Sequence, residues 1–295
     1  MIERKRITLN DKDVFSRYFS NIDNSTYNFT NMFMWEGNGA ITYAEVCGCM
    51  VLFFQFRKNP PMVSYPIGSG DKKEAIKQIC EYLKGEGARP LFRNLSEWMK
   101  EELEELCPGK FEFIYDRDNS DYVYETEKLI TLSGKKLHQK RNHLNYFKNN
   151  YNFEYVKLTE NDMPECKKLF ERWTEEKQDA DSGDNARGAT YKVIDNFSDL
   201  GVSGGGIKID GQLEAVSFAE PVTSDTVLAH LEFGNSSIRG VFNAINQQFC
   251  EHEWSEYKYI NREEDMGLAG LRQSKLAYRP VYLIDKYAAA LIKDI

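Results

Sequence analysis

The stretch NREEDMGLAGLRQSKLAYRP, residues 261–280, sets Arg262, Glu263, Glu264 and Asp265 between a strand-like run and a helical pattern. That helix carries Arg272 and Lys275. Two readings account for so much opposed charge. Acidic residues at a helix start gain about 0.3–1 kcal/mol each from the macrodipole, and cations suit its far end. Alternatively the charges form the floor of a binding site. At 100° per residue Leu268, Leu271 and Tyr278 define the buried side, and Lys275 falls among them. A buried ammonium costs several kcal/mol unless paired, so Lys275 is expected to meet a carboxylate of Glu263, Glu264 or Asp265, or a bound anion. Upstream, strict alternation over Thr226–Gly234 puts His230 and Glu232 on one face of a strand. A histidine and a carboxylate together suffice for a general base; an exposed strand gives the same pattern.

A second feature is charge distribution. The chain has 295 residues and a net charge of −8, yet between Lys128 and Phe153 there is no Asp or Glu and six cations, Lys136, Lys140, Arg141 and Lys148 among them. Leu137, Leu144, Phe147 and Tyr151 share one face of a helix over 135–150, with the cations framing that stripe. Lysine stems snorkelling over an apolar seam produce this pattern, and so does a rim that grips phosphates of tRNA or a lipid headgroup. No RNA-stacking motif accompanies it, and DNA is not expected as a partner. Metal ligand spacing, GxSxG, HExxH and P-loop patterns are missing from the sequence. The six cysteines are scattered, which points to a reduced, cytoplasmic protein. No run is apolar enough to span a bilayer, and MIERKRITLND is followed by no apolar segment, so no secretory signal is expected.

The elements that must hold these residues repeat. Each half reads hairpin, strand, helix, strand, helix, strand. The first half includes strands at Ile41–Val46 and Met50–Phe56 and a helix over 72–85 with Ile76, Ile79, Cys80 and Leu83 at i, i+3, i+4, i+7. The second includes a hairpin turn at Asp210-Gly211, the Thr226–Gly234 strand, a helix over 239–252 and a last strand at Val281–Ala288. Two α/β (α+β) domains are expected, 1–125 and 126–295, with the site in the second.

That element order, with GKKLHQKRNHLNYF (134–147), HLEFGNSSIRGVFNAINQQF (230–249) and the opening stretch, resembles the C-terminal domain of phosphatidylglycerol lysyltransferases and the Fem-type aminoacyltransferases. The similarity is closest to an uncharacterised bacterial branch of the former. The resemblance implies a tandem GNAT-like fold, two mixed sheets flanked by helices, in which the fourth and fifth strands splay apart near Glu232 and Asn261. It implies an acyltransferase using aminoacyl-tRNA as co-substrate, without metal or other cofactor, and an amine or hydroxyl acceptor on a lipid, a peptide or a small molecule. Glu232, with His230, would then take the proton; Glu264 and Asp265 would hold an ammonium in a slot bordered by Lys275. Arg262, Arg272 and Lys275 would bind phosphate or brace the carboxylates. Acyl-CoA enzymes of the fold carry [QR]-x-x-G-x-[GA] after the fourth strand. Arg239 and Ala244 match that frame, but Phe242 stands at the central glycine. That departure disfavours the alternative, an acetyl-CoA-dependent N-acetyltransferase. A silent module binding tRNA or another anion is the third possibility.

Overall fold

The computed structural model describes residues 2–56, 59–176 and 184–295. Contacts divide the chain into two compact units, Met1–Asp121 with Ile284–Ile295, and Tyr122–Leu283.

In the first unit the hairpin Ile41–Val46 and Cys49–Phe54 turns at Cys47 and Gly48, whose φ angles of 49° and 76° are those of a tight primed turn. Its sheet runs, edge to edge, Lys5–Arg6, Ile41–Val46, Cys49–Phe54, Met62–Val63, Leu91–Leu95, Tyr287–Leu291, Phe111–Tyr115. Met62–Val63 is parallel to Leu91–Leu95, so the sheet is mixed. Gly70 lies so close to the hairpin that a Cβ there would sit 2.0 Å from the Cys47 carbonyl oxygen. The next residue, Asp71, caps helix Lys72–Gly85 by accepting from the Glu74 N–H at 2.9 Å. That helix buries Ile76, Ile79, Cys80 and Leu83, as the spacing predicts.

The second unit has its own seven-stranded sheet: Tyr282–Ile284, Asp121–Glu125, Tyr259–Asn261, Thr226–Gly234, Gln212–Pro221, Ser203–Ile209, Phe153–Lys157. Asp210 and Gly211 make the expected hairpin turn, with φ of 50° and 81°. Helix Val241–Glu253 covers one face, burying Val241, Ala244, Ile245 and Phe249 with Leu144 and Phe147 of helix His138–Asn150. Two mixed sheets flanked by helices are therefore present.

The expected boundary at residue 125 differs from the observed division at both ends of the second unit. Asp121–Glu125, an unanticipated strand, pairs with Tyr259–Asn261 in the second sheet. The single expected strand over 281–288 is instead two short strands in different sheets. Tyr287–Leu291 lies between Leu91–Leu95 and Phe111–Tyr115, hydrogen-bonded to both. Without it those two strands would each present an unpaired row of backbone groups inside the first sheet.

Where the chain leaves the first unit and returns to it, a charge pair is buried. Lys286 Nζ donates to Asp121 Oδ1 at 2.7 Å and to Ser25 Oγ at 2.9 Å. Ser25 donates to the same carboxylate through its hydroxyl and its N–H, both at 2.8 Å. Lys286 and Asp121 are 1% and 0% exposed. Lys286→Ala removes the ammonium from a buried carboxylate, and is expected to cost about 3–5 kcal/mol, read as a fall in the urea midpoint. Lys286→Met combined with Asp121→Asn should recover most of that loss; equal destabilisation by both variants would show that the charges are not the cause.

Candidate functional site

Strands Thr226–Gly234 and Tyr259–Asn261 are parallel and in register over three pairs, Thr226 with Tyr259, Val227 with Ile260 and Leu228 with Asn261. There the pairing stops, and the longer strand continues past Glu232 without that neighbour. The expected parting near Glu232 and Asn261 corresponds to the end of this pairing at Leu228 and Asn261, four residues short of Glu232.

A β-bulge changes which side chains reach it. Ser217 of the neighbouring strand faces Glu232 and Phe218 faces Leu231, but Ala219 faces Ala229, so His230 is the extra residue. Glu232 therefore shares a face with Ala229 and Val227, toward helix Val241–Glu253, and the expectation that His230 lies beside it is corrected. The imidazole instead sits between two carboxylates, Nε2 3.0 Å from Glu220 and Nδ1 3.2 Å from Glu263. Burial alone would lower its pKa, but the two carboxylates outweigh burial and raise it to about 9. At neutral pH His230 is a buried cation, already protonated and unable to accept a substrate proton.

Glu232 meets Arg262. Nη2 of Arg262 lies 3.2 Å from Glu232 Oε1, and the guanidinium rests 5.3 Å from the ring centre of Tyr278 and 5.9 Å from that of Tyr124. Burial disfavours the guanidinium charge, yet Glu232 more than compensates, so Arg262 is held even more firmly protonated than usual. Asn243 donates to the Tyr278 hydroxyl at 2.7 Å, and Lys140 of helix His138–Asn150 stands 4.2 Å over the same ring. Burial, then the nearby Arg262 charge, lowers the Lys140 pKa. The expected open slot is thus filled by the Arg262 side chain. Behind it remains a cavity of about 10 Å³, lined by Ser217, Glu232, Asn246, Cys250, Trp254 and Arg262 among others, with room for about one water. Asn246 Oδ1 and Trp254 Nε1 are buried with no hydrogen-bond partner among the described residues.

The other acidic and basic residues of the opening stretch build the loop that carries Arg262. Asn261 Oδ1 accepts from the Glu263 N–H at 2.8 Å. Asp265, fully buried, receives both arms of Arg272 at 2.8 and 2.7 Å, the Gly267 N–H at 2.9 Å and the Tyr122 hydroxyl. Burial would raise its pKa, but those donors, Arg272 first, hold it well below the usual carboxylate range. Lys275, expected to meet a carboxylate side chain or an anion, donates to the backbone carbonyls of Arg262, Glu263 (3.1 Å) and Glu264. Tyr278 is buried as expected, while Leu268 is exposed. Leu268 precedes helix Ala269–Ala277 in extended conformation, so a helical projection misplaces it.

The remaining candidates divide. Arg141 donates to the carbonyls of Leu132 and Gly134, closing the turn before its own helix, whereas Lys136 and Lys148 are exposed. Arg239, also exposed, lies over the Tyr146 ring at 4.2 Å. Gly240 caps helix Val241–Glu253 at φ 90°, and a Cβ there would sit 2.5 Å from the His143 carbonyl oxygen. The glycine in this turn serves close packing of two helices. Glu220, Tyr124, Asn243 and Asn246 were not singled out by sequence, and Asn246, beside rather than within the helix's apolar stripe, gave no signal there. Among the described residues no group of three or more His, Cys, Asp or Glu side chains is placed to hold a metal ion.

A family model described as phosphatidylglycerol lysyltransferase, C-terminal, matches residues 18–290. A conserved protein of unknown function from Bacteroides thetaiotaomicron is 33% identical and superposes with a TM-score of 0.90, over 99% of this chain and all of that one. L-PGS from Bacillus licheniformis shares the fold, at 14% identity and a TM-score of 0.69, over 97% of this chain and 93% of that one. An uncharacterised protein of Mycoplasmoides gallisepticum is 27% identical over 206 residues, 66% of this chain, which spans 62% of that relative's length.

The histidine offers a direct check on the site's electrostatics. Since folding raises its pKa, its stabilisation is complete below the ordinary value of 6.5 and is lost as pH rises through about 9. Among the four histidines, one imidazole resonance is expected to titrate near 9 and to vanish in His230→Gln, whose melting temperature should depend less on pH across that window. The absence of any imidazole resonance titrating well above 6.5 would contradict the buried arrangement.

Proposed function

We propose, because the chain belongs to the phosphatidylglycerol lysyltransferase C-terminal family, that it is an acyltransferase moving an amino acid from aminoacyl-tRNA to an amine or hydroxyl acceptor. The observation that carries this reading is Glu232, a part-buried carboxylate on the strand that runs on beyond its last parallel pair, 3.2 Å from the part-buried Arg262 guanidinium. In the reaction the acceptor nitrogen or oxygen attacks the ester carbonyl, and Glu232 takes its proton. The tetrahedral oxyanion is stabilised by the Arg262 guanidinium, whose side chain turns aside to admit the ester. The intermediate then collapses, breaking the ester bond, and the tRNA ribose hydroxyl leaves with a proton returned from Glu232.

Around that centre Lys140 stands over the Tyr278 ring that also supports Arg262, and Lys136, Lys148 and Arg239 supply exposed charge for the phosphates of the donor. Asp265, Arg272, Lys275 and Asn261 act one step back, by fixing the loop from which Arg262 extends. Glu264 is the carboxylate of that loop proposed to receive an ammonium. Acetyl-CoA fits less well, since Phe242 replaces the glycine of the phosphate frame and Gly240 is used to seat His143.

Mixed charged tRNAs carrying labelled amino acids, incubated with the protein and lipid or peptide acceptors, test the reading. Transfer is expected with the native chain, and Glu232→Gln should lower it by roughly 10²–10⁴-fold with tRNA affinity unchanged. Lys136→Ala with Lys148→Ala should weaken tRNA binding and reduce its salt slope by about 2. Absence of transfer from every donor, with a rise in melting temperature on adding acetyl-CoA, would overturn it in favour of CoA chemistry.

A further inference from the structure

Among the described residues the two sheets have four edge strands, and three of them are blunted. Lys5–Arg6 is two residues long and both are exposed cations. Tyr282–Ile284 has three residues, and Phe153–Lys157 turns Glu154 and Lys157 to solvent. Short or charged edges deter another strand from adding itself. Phe111–Tyr115, the outer strand of the first sheet, has neither protection. It is five residues long with one charge and no proline, and Ile114 and Tyr115 are 52% and 47% exposed.

The neighbour it already has shows which backbone groups this edge offers. The Asp116 N–H donates to the Lys286 carbonyl at 2.8 Å and the Ile292 N–H to the Lys110 carbonyl at 2.9 Å. These bonds bracket the register that pairs Tyr115 with Tyr287 and Phe111 with Leu291. Even-numbered residues therefore turn their backbone groups to Tyr287–Leu291, and Phe111, Phe113 and Tyr115 turn theirs the other way. Among the described residues no strand lies on that side to meet the three N–H and three carbonyl groups.

The row is complementary to itself. Two copies laid antiparallel about a twofold axis at Phe113 pair Phe113 with its counterpart, and Phe111 with Tyr115 in both directions. Every outward N–H and carbonyl is then met. Side chains fit the same register. Lys110 of one copy stands opposite Asp116 of the other, no two like charges stand directly opposite, and Phe113 faces an identical ring. A slip of one residue would set inward-turned backbone groups against the partner and lose these bonds. A foreign strand would have to match row, charge and ring separately, whereas a second copy matches all three by symmetry.

We propose that two copies of this chain pair edge to edge through Phe111–Tyr115, joining their first sheets into one continuous sheet. A twofold contact uses the same strand on both copies, so assembly closes at two. The edge shares no residue with the transfer site, and the pairing is independent of the proposed reaction.

Sedimentation velocity of the full chain over a rising concentration series tests it. The mass is expected to move from one chain, 34.2 kDa, to two and no further. Phe113→Pro removes an outward N–H and sets a ring in the partner's path, while every bond to Tyr287–Leu291 stays in place. That variant should remain a single chain throughout. Ile114→Glu and Ile114→Lys check the register without touching the backbone, since each faces Glu112 of the other copy twice per dimer. The glutamate variant should pair roughly tenfold more weakly than the lysine variant. In hydrogen exchange the Phe111 and Tyr115 amides should be slow in the native dimer and fast in Phe113→Pro, with the Glu112 and Ile114 amides slow in both. The proposal is overturned if the native chain keeps the mass of one at every concentration, or if assembly continues beyond two. It is also overturned if Phe113→Pro and Ile114→Glu dimerise like the native chain, or if the two amides slow only on adding another protein.

Discussion

A fully buried carboxylate must have its cation beside it, and the loop of the second unit is arranged around that requirement at Asp265. Removing one partner of such a pair costs about 3–5 kcal/mol, a large share of a domain's net stability. Arg272 supplies both arms of its guanidinium, and Lys275 adds three bonds from an ammonium to backbone carbonyls. Against this stand Glu263 and Met266, non-glycine residues held at φ 58° and 52°, whose left-handed backbone costs on the order of 1–3 kcal/mol each. Hydrogen bonds to charged groups contribute about 1.5–3 kcal/mol apiece, so the brace outweighs the strain. Glu263 thereby reaches His230, and Arg262 is turned toward Glu232.

Helix Ala269–Ala277 serves the same loop. Its own residues are none of them fully buried, and the side chains that tie it down are the two cations the loop requires, Arg272 on Asp265 and Lys275 on the backbone carbonyls. The helix is held to its unit by the loop it braces rather than by an apolar face.

Much of this was legible in the sequence. Periodicity located Leu144 and Phe147, and Ile76, Ile79 and Leu83, because those helices obey one rule throughout: apolar in, polar out. The Asp210-Gly211 turn was legible because only a few residue pairs accept positive φ twice in succession. Strict alternation failed at His230, because a bulge adds a residue without leaving a mark in hydropathy. It failed again after Tyr278, where the chain returns to the first unit. The sequence there reads as one strand, and only the unfilled place between Leu91–Leu95 and Phe111–Tyr115 decides that Tyr287–Leu291 goes elsewhere. Lys275 was rightly read as an ammonium needing partners. Carbonyls of a turning loop serve as well as carboxylates, and one-dimensional patterns do not show where carbonyls point.

The two arginines of the site are held with unequal strength, and that inequality bears on how the filled slot can work. Arg272 is bidentate on a carboxylate with no exposure, and fixed. Arg262 makes one contact of 3.2 Å to Glu232, a side chain 20% exposed, with two tyrosine faces for support. Cation–π contacts contribute about 0.5–2 kcal/mol and a partly exposed ion contact about 0–1 kcal/mol, so rotation of the Arg262 side chain is a low-cost opening of the slot. Its backbone need not move, since Lys275 keeps hold of its carbonyl. Rotation joins the 10 Å³ cavity, with Asn246 Oδ1 and Trp254 Nε1 lacking partners, to the space the guanidinium leaves. A ligand entering there meets a freed carboxylate, an unsatisfied acceptor and an unsatisfied donor at once. Each of these is costly to leave unmet, and together they favour a polar occupant over an empty pocket.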